Sequence, residues 1–147
     1  MAKIGSSVRS GRIASSTKEG ANFLLCNFLI STSYFRDMSF TNVEQLPFVG
    51  MSYEFHGEKQ GTPVSAYIVN APPGKGPPLH THPYVETIFM IEGRATVTID
   101  NETREVKAGD IAIVPANTPH RFVNSGDTIV RQIDIHASPK FIQTNLT

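Results

Sequence analysis

From about Pro47 to Ile135 the chain alternates between apolar and polar positions in short runs. Val49-Gly50-Met51-Ser52-Tyr53-Glu54-Phe55 alternates, and so does Val64-Ser65-Ala66-Tyr67-Ile68-Val69. Further runs cover Thr87–Ile91, Ala95–Ile99, Thr103–Val106, Ile111–Val114, Arg121–Val123 and Ile129–Ile135, and most are rich in Val, Ile, Thr, Tyr or Phe. A period of two sends successive side chains to opposite faces, so each run reads as a strand. Turn formers separate the runs: His56-Gly57, Pro72-Pro73-Gly74, Glu92-Gly93, Asp100-Asn101, Ala108-Gly109-Asp110, Pro115-Ala116-Asn117 and Ser125-Gly126-Asp127. Gly, Pro, Asn and Asp serve there because they tolerate turn backbone angles. Seven or eight short strands spaced in this way predict an all-β antiparallel sandwich or barrel, with no internal repeat and no long helix. Ser138–Thr147 reads as one more strand or a short helical turn.

Composition divides the chain before that pattern starts. Residues 1–20 are rich in Ser, Gly and Lys/Arg, which predicts disorder, and the short apolar run Phe23–Ile30 follows. A basic leader with an apolar stretch could be a signal peptide, but Asn27 interrupts the run and no clean small-x-small cleavage site follows. An organelle transit peptide and a helix docked on the domain are further readings. The expectation is that 1–37 are a disordered extension, or a start codon placed too early with Met38 the real one, and that 38–147 form the barrel. A chain of 147 residues is long enough for one domain with a sizeable core.

Thirteen basic residues balance thirteen acidic ones, but unevenly. Lys3, Arg9, Arg12, Lys18 and Arg36 face Glu19 alone in residues 1–36, which leaves eight basic and twelve acidic side chains in the remainder. A mildly acidic domain carries no electrostatic footprint for nucleic acid. No run approaches the ~18 apolar residues that span a bilayer, so no membrane partner is expected. Cys26 is the only cysteine, which excludes an intrachain disulfide and a cysteine-rich zinc module and suits a reducing, cytoplasmic setting.

Two stretches carry candidate chemistry. Gly74-Lys75-Gly76-Pro77-Pro78-Leu79-His80-Thr81-His82-Pro83-Tyr84-Val85-Glu86 places two histidines and a carboxylate within seven residues, and Gly109 through Pro115 to His120 and Asn124 supplies a third histidine behind another Gly/Pro turn. His80 and His82 are two apart, so on a strand both imidazoles share a face. Parity groups Glu86 with Ile88 and Met90, and His120 with Phe122 and Asn124. Three neutral imidazoles and one carboxylate suit one divalent transition-metal ion, Mn, Fe, Ni or Zn, and leave two positions open on an octahedral ion.

The first stretch resembles the first motif of the cupin superfamily: a Gly, five residues, His-x-His, three or four residues, Glu, six residues, Gly. Gly74, His80, His82, Glu86 and Gly93 match it. The second motif, a Gly, five residues, Pro-x-Gly, two residues, His, three residues, Asn, is matched by Gly109, Pro115, His120 and Asn124. Asn117 stands where Gly is usual, and Asn tolerates positive φ better than most residues. Fifteen residues, 94–108, separate the motifs, as in compact microbial cupins. The resemblance implies a double-stranded β-helix (jelly-roll) barrel, metal ligands His80, His82, Glu86 and His120, and a homodimer paired through barrel edges. Pro47–Phe55, with Phe48, Tyr53 and Phe55, is the expected contact, because exposed edge strands need cover.

Fold alone does not choose an activity. Parity puts Tyr67, Val69, Ile88, Met90 and Phe122 near the metal, an apolar substrate pocket. Arg121 should point away from it, since it adjoins His120; Lys75 and Arg131 are the remaining cations that could reach a phosphate. Gln132, Asp134 and His136 share a face on the last strand, read either as a solvent-facing edge opposite Ile133 and Ile135 or as a polar patch at the pocket mouth. The favoured function is a metal-dependent dioxygenase-like enzyme acting on a neutral or chelating small molecule, with Glu86 as its proton shuttle. A non-catalytic ligand-binding or sensing module and a metal-assisted isomerase or lyase are the alternatives.

Overall fold

Eleven strands form among residues 40–146, the part of the chain that the computed structural model describes. They are β1 (Phe48–Val49), β2 (Ser52–Phe55), β3 (Ser65–Ala71), β4 (His80–Thr81), β5 (Glu86–Glu92), β6 (Arg94–Ile99), β7 (Glu102–Lys107), β8 (Ile111–Val114), β9 (His120–Asn124), β10 (Val130–His136) and β11 (Thr144–Asn145). One helical turn, α1 (Gly57–Gln60), and a 3-10 turn at Val43–Gln45 complete them. Every strand pairing is antiparallel. A six-stranded sheet in the order β1-β2-β3-β10-β5-β8 faces a five-stranded sheet in the order β11-β4-β9-β6-β7, the expected jelly roll. The readings of residues 1–37 and of Met38 as a start lie outside the described residues. No helix among those residues is long and apolar enough to cross a membrane.

The expected strands form, most within one or two residues of their predicted bounds. One is split: Val49–Phe55 is a hairpin, β1 and β2, with Val49 opposite Ser52. Gly50 turns the chain at φ 61°, a left-handed conformation that glycine takes without steric cost. The tail supplies a strand rather than a helical turn, and β11 pairs with β4.

Register grades the interior along the strands. In the six-stranded sheet Ser65, His136, Glu86 and Val114 form one inward row, and Tyr67, Asp134, Ile88 and Ala112 form the next. Val69, Gln132 and Met90 come third, with Ala71 and Val130 beyond them. The apolar end packs on Ala95, Val97 and Phe122 of the other sheet, and nine buried side chains make this core. Each buried Val, Ile or Phe there stabilises by about 1.5–3 kcal/mol. The other end is polar, so apolar packing at one end of the barrel offsets the desolvation of a site at the other.

Gln132, Asp134 and His136 are not a solvent-facing edge. They are 1%, 5% and 2% exposed. β10 lies between β3 and β5 in the middle of its sheet, and its alternate positions Val130, Gln132, Asp134 and His136 all face the core.

Candidate metal centre

The two sheets bring the four expected residues together. His80 of β4 is paired directly with His120 of β9. Glu86 opens β5 on the opposite sheet, and His82 follows β4 in the loop between them. One ligand atom from each of His80, His82, Glu86 and His120 lies within 4.8 Å of all the others, and all four residues are buried.

The imidazoles are oriented from behind. His80 Nδ1 is 2.8 Å from the Pro78 carbonyl oxygen, and His120 Nδ1 is 2.8 Å from that of Thr118. His82 Nδ1 is 2.6 Å from the Ile142 carbonyl oxygen. A carbonyl only accepts, so each Nδ1 carries a proton, and each Nε2 is the nitrogen left to ligate once it has no proton of its own. His82 Nε2 is buried without a hydrogen-bond partner, a cost that an ion would remove. Imidazoles held through the far nitrogen by backbone carbonyls, with Nε2 atoms facing a carboxylate, fit a divalent transition-metal ion.

Glu86 Oε2 lies 2.7 Å from His120 Nε2 and 3.3 Å from His82 Nε2. Burial pushes the Glu86 carboxyl up, but the hydrogen bond from His120, the close approach of His82 and the charge of His136 outweigh it and hold the group ionised well below the usual carboxylate range. His120 is lowered by burial, and its bond to Glu86 reverses this to a net rise. His80 is lowered to about 4, mainly by burial, so it is neutral and ready to ligate at neutral pH.

Two local devices set this geometry. Asn117 has φ 61°, the left-handed conformation that the usual Gly would adopt, and its N–H donates to the His82 carbonyl at 2.7 Å, tying the two motifs together. A Cβ on Gly76 would stand 1.9 Å from the Phe122 carbonyl oxygen, so only glycine lets the loop before His80 lie against β9. Asn124 is structural. Its Nδ2 donates to the carbonyls of Ala71 and Thr128, each at 2.7 Å, clamping the apolar end of the barrel.

A cavity of about 550 Å³ opens onto the four residues. Tyr67, Val69, Ile88 and Phe122 line it as expected, but Met90 does not. Met90 sits opposite Gln132, four residues along β5 from Glu86. At about 3.3 Å per residue that is ~13 Å deeper, in the apolar core. Lys75 contributes to the lining and Arg131 does not; Arg121 also borders the cavity. Arg121 is exposed while its strand neighbours His120 and Phe122 are buried, so its side chain points to the other face, as expected.

Sequence reasoning missed the tail. Phe141 stacks on Tyr67 with centroids 4.5 Å apart, and Ile142 bonds to both His82 and the Tyr84 hydroxyl. A backbone carbonyl acting 60 positions from its histidine has no sequence signature. Parity did group Asp134 and His136; that β10 is central, which the pattern leaves open, turns them inward.

A family model described as Cupin domain matches residues 67–136. An uncharacterised protein of Methanocaldococcus jannaschii is 46% identical over 57 residues, 38% of this chain and 46% of that protein. The polyketide synthase protein CurC of Streptomyces cyaneus is 38% identical over 68 residues, 46% of this chain and 44% of that protein. The chain thus spans less than half the length of these relatives. Among solved structures, the Bacillus subtilis oxalate decarboxylase, studied for its Mn(II) centres, superposes with a TM-score of 0.63 at 25% identity, over 71% of this chain and 30% of that one. The oxalate decarboxylase of Lactobacillus farciminis, in a formate complex, gives 0.61 at 24% identity over 68% and 32%.

Proposed function

The chain belongs to the cupin superfamily, and we propose that it is a small-molecule metalloenzyme of dioxygenase type, holding one divalent ion on His80, His82, Glu86 and His120. The observation that carries this reading is the convergence of four buried ligand atoms, with Nδ1 of every histidine engaged elsewhere, at the wall of a 550 Å³ cavity. A structural ion needs no such cavity; one that meets a substrate does. When bound, the ion would supply a Lewis acid and, if redox-active, a path for electrons between an organic substrate and dioxygen.

The chain's own residues do the rest. Ile88 and Phe122 form apolar wall beside the four ligands, which keeps bulk water from a reacting substrate. Tyr67 also lines the cavity, and burial, then the charge of Glu54, raises its pKa, so its hydroxyl stays protonated and able to donate to a substrate oxygen. Glu86 is ionised, and its carboxylate can accept a proton from a chelating hydroxyl. The substrate is accordingly a neutral or singly chelating molecule such as a diol, enol or diketone. A reducing, cytoplasmic setting suits such chemistry.

Lys75 at the cavity favours one second reading, a metal-assisted lyase or isomerase on an anionic substrate. Anaerobic loading with Mn, Fe, Ni or Zn, followed by oxygen uptake against diols, enols and diketones and product analysis with small dicarboxylates, separates the readings. Oxygen consumption that depends on one metal is expected. Carbon dioxide release or isomerisation with no net oxygen uptake would replace it with the lyase or isomerase reading. A tightly held ligand without turnover would make the protein a binding or sensing module.

A further inference from the structure

Among the described residues, His136 alone keeps both ring nitrogens buried without a hydrogen-bond partner. It is 2% exposed and closes β10, with Ser65 opposite on one side and Glu86 on the other. Its ring stands edge-on to Tyr67, Tyr84 and Phe141, at centroid distances of 5.2, 5.8 and 5.0 Å, and to His82 at 4.8 Å. This aromatic box fixes the plane of the ring but satisfies neither nitrogen. A buried polar atom left in that state calls for an explanation.

The explanation lies in how Glu86 divides its two oxygens. Oε2 faces the candidate ligands His120, at 2.7 Å, and His82, at 3.3 Å. Oε1 has neither; the imidazole facing it is His136, whose Nε2 is 3.9 Å away. His136 is itself outside the group whose ligand atoms lie within 4.8 Å of one another. It is placed to act on the carboxylate rather than on an ion.

We propose that His136 is a positioning residue that closes the 3.9 Å gap to Oε1 of Glu86 when an ion draws on Oε2, and then holds Oε1 through Nε2–H, so that Glu86 offers only Oε2 to the ion. This rests on the metal-binding reading above. Partners behind a metal ligand set its orientation, and their loss typically weakens metal binding by 10–100-fold. Here the orientation also sets denticity. Without a donor on Oε1 the carboxylate is free to turn and use both oxygens, which would close one of the positions that a substrate needs.

The test uses the full chain loaded with Mn(II): wild type, His136→Phe and His136→Gln. Phe fills the aromatic box but cannot donate; Gln places an N–H near the Nε2 position. Affinity is read by chelator competition and the ligand field by the electron paramagnetic resonance zero-field splitting, while melting of the metal-free proteins reports folding. Expected are a roughly tenfold loss of affinity and a changed splitting in His136→Phe, both restored toward wild type in His136→Gln. If Phe destabilises the metal-free barrel, His136→Leu, equally unable to donate, is read in its place. A wild-type spectrum and affinity in the non-donating variant, or equal damage in the Gln variant, overturns the proposal. Failure of the wild type to bind Mn(II) at all would instead remove the metal reading beneath it.

Discussion

Asp134 lies between Tyr67 on β3 and Ile88 on β5, and both of its oxygens accept from Gln132 Nε2, at 2.8 and 3.0 Å. Burial, then the charge of Glu86, raises its pKa well above the ordinary carboxylate value of 3.8. A raised folded-state pKa contributes stability that is fully present below the unfolded value and is lost as pH rises toward the folded one. Asp134→Asn removes that liability, and the unpartnered Gln132 Oε1 can accept from the new amide. The variant should melt a few degrees higher than wild type at pH 7–8, with the gain shrinking as pH falls toward 4. A melting temperature that is unchanged across that range would show that Asp134 is not held neutral. At this scale the sequence was informative where chemistry and parity agree, as for His80, His82, Glu86 and His120. It was silent on the inward turn of Asp134 and His136, because parity says which residues share a face and not which face is inside.

Among elements, the tail matters more than its length suggests. β11 pairs with β4, Leu146 N–H donates to the Leu79 carbonyl, and the Ile142 carbonyl holds His82 Nδ1. Removing 141–147 leaves the nine-residue core in place but frees the His82 ring. The truncated chain should stay folded by circular dichroism and lose about tenfold in metal affinity, the typical effect of deleting a partner behind a ligand. Undiminished affinity would mean that the His82–Ile142 bond does not orient the ligand. The β1–β2 hairpin teaches a complementary lesson: an alternating pattern survived across Val49–Phe55 although Gly50 breaks the strand, since a two-residue loop preserves the period of two.

At the scale of the whole molecule, two faces of the six-stranded sheet differ. The inner face is graded from apolar core to polar site. The outer face carries an apolar row in register across all six strands: Phe48, Tyr53, Ile68, Ile133, Phe89 and Ile111. Phe48 and Ile111 at its ends are 54% and 58% exposed. We propose that two copies pair through this face, since a two-fold contact sets the same row against itself without requiring a second patch. That widens the expected contact at Pro47–Phe55 from an edge to a face. Light scattering should give a dimer at micromolar concentration, weakened by Ile68→Glu; a monomer in the wild type would contradict it.

The central claim is an ion on four protein ligands with positions left open to a substrate. Water-proton relaxation during Mn(II) titration measures both parts at once. Saturation at one ion per chain is expected, with about two exchangeable waters on an octahedral ion that has four protein ligands, and loss of the saturable signal in His120→Ala. An absence of saturable binding, or a bound ion with no exchangeable water, would contradict it.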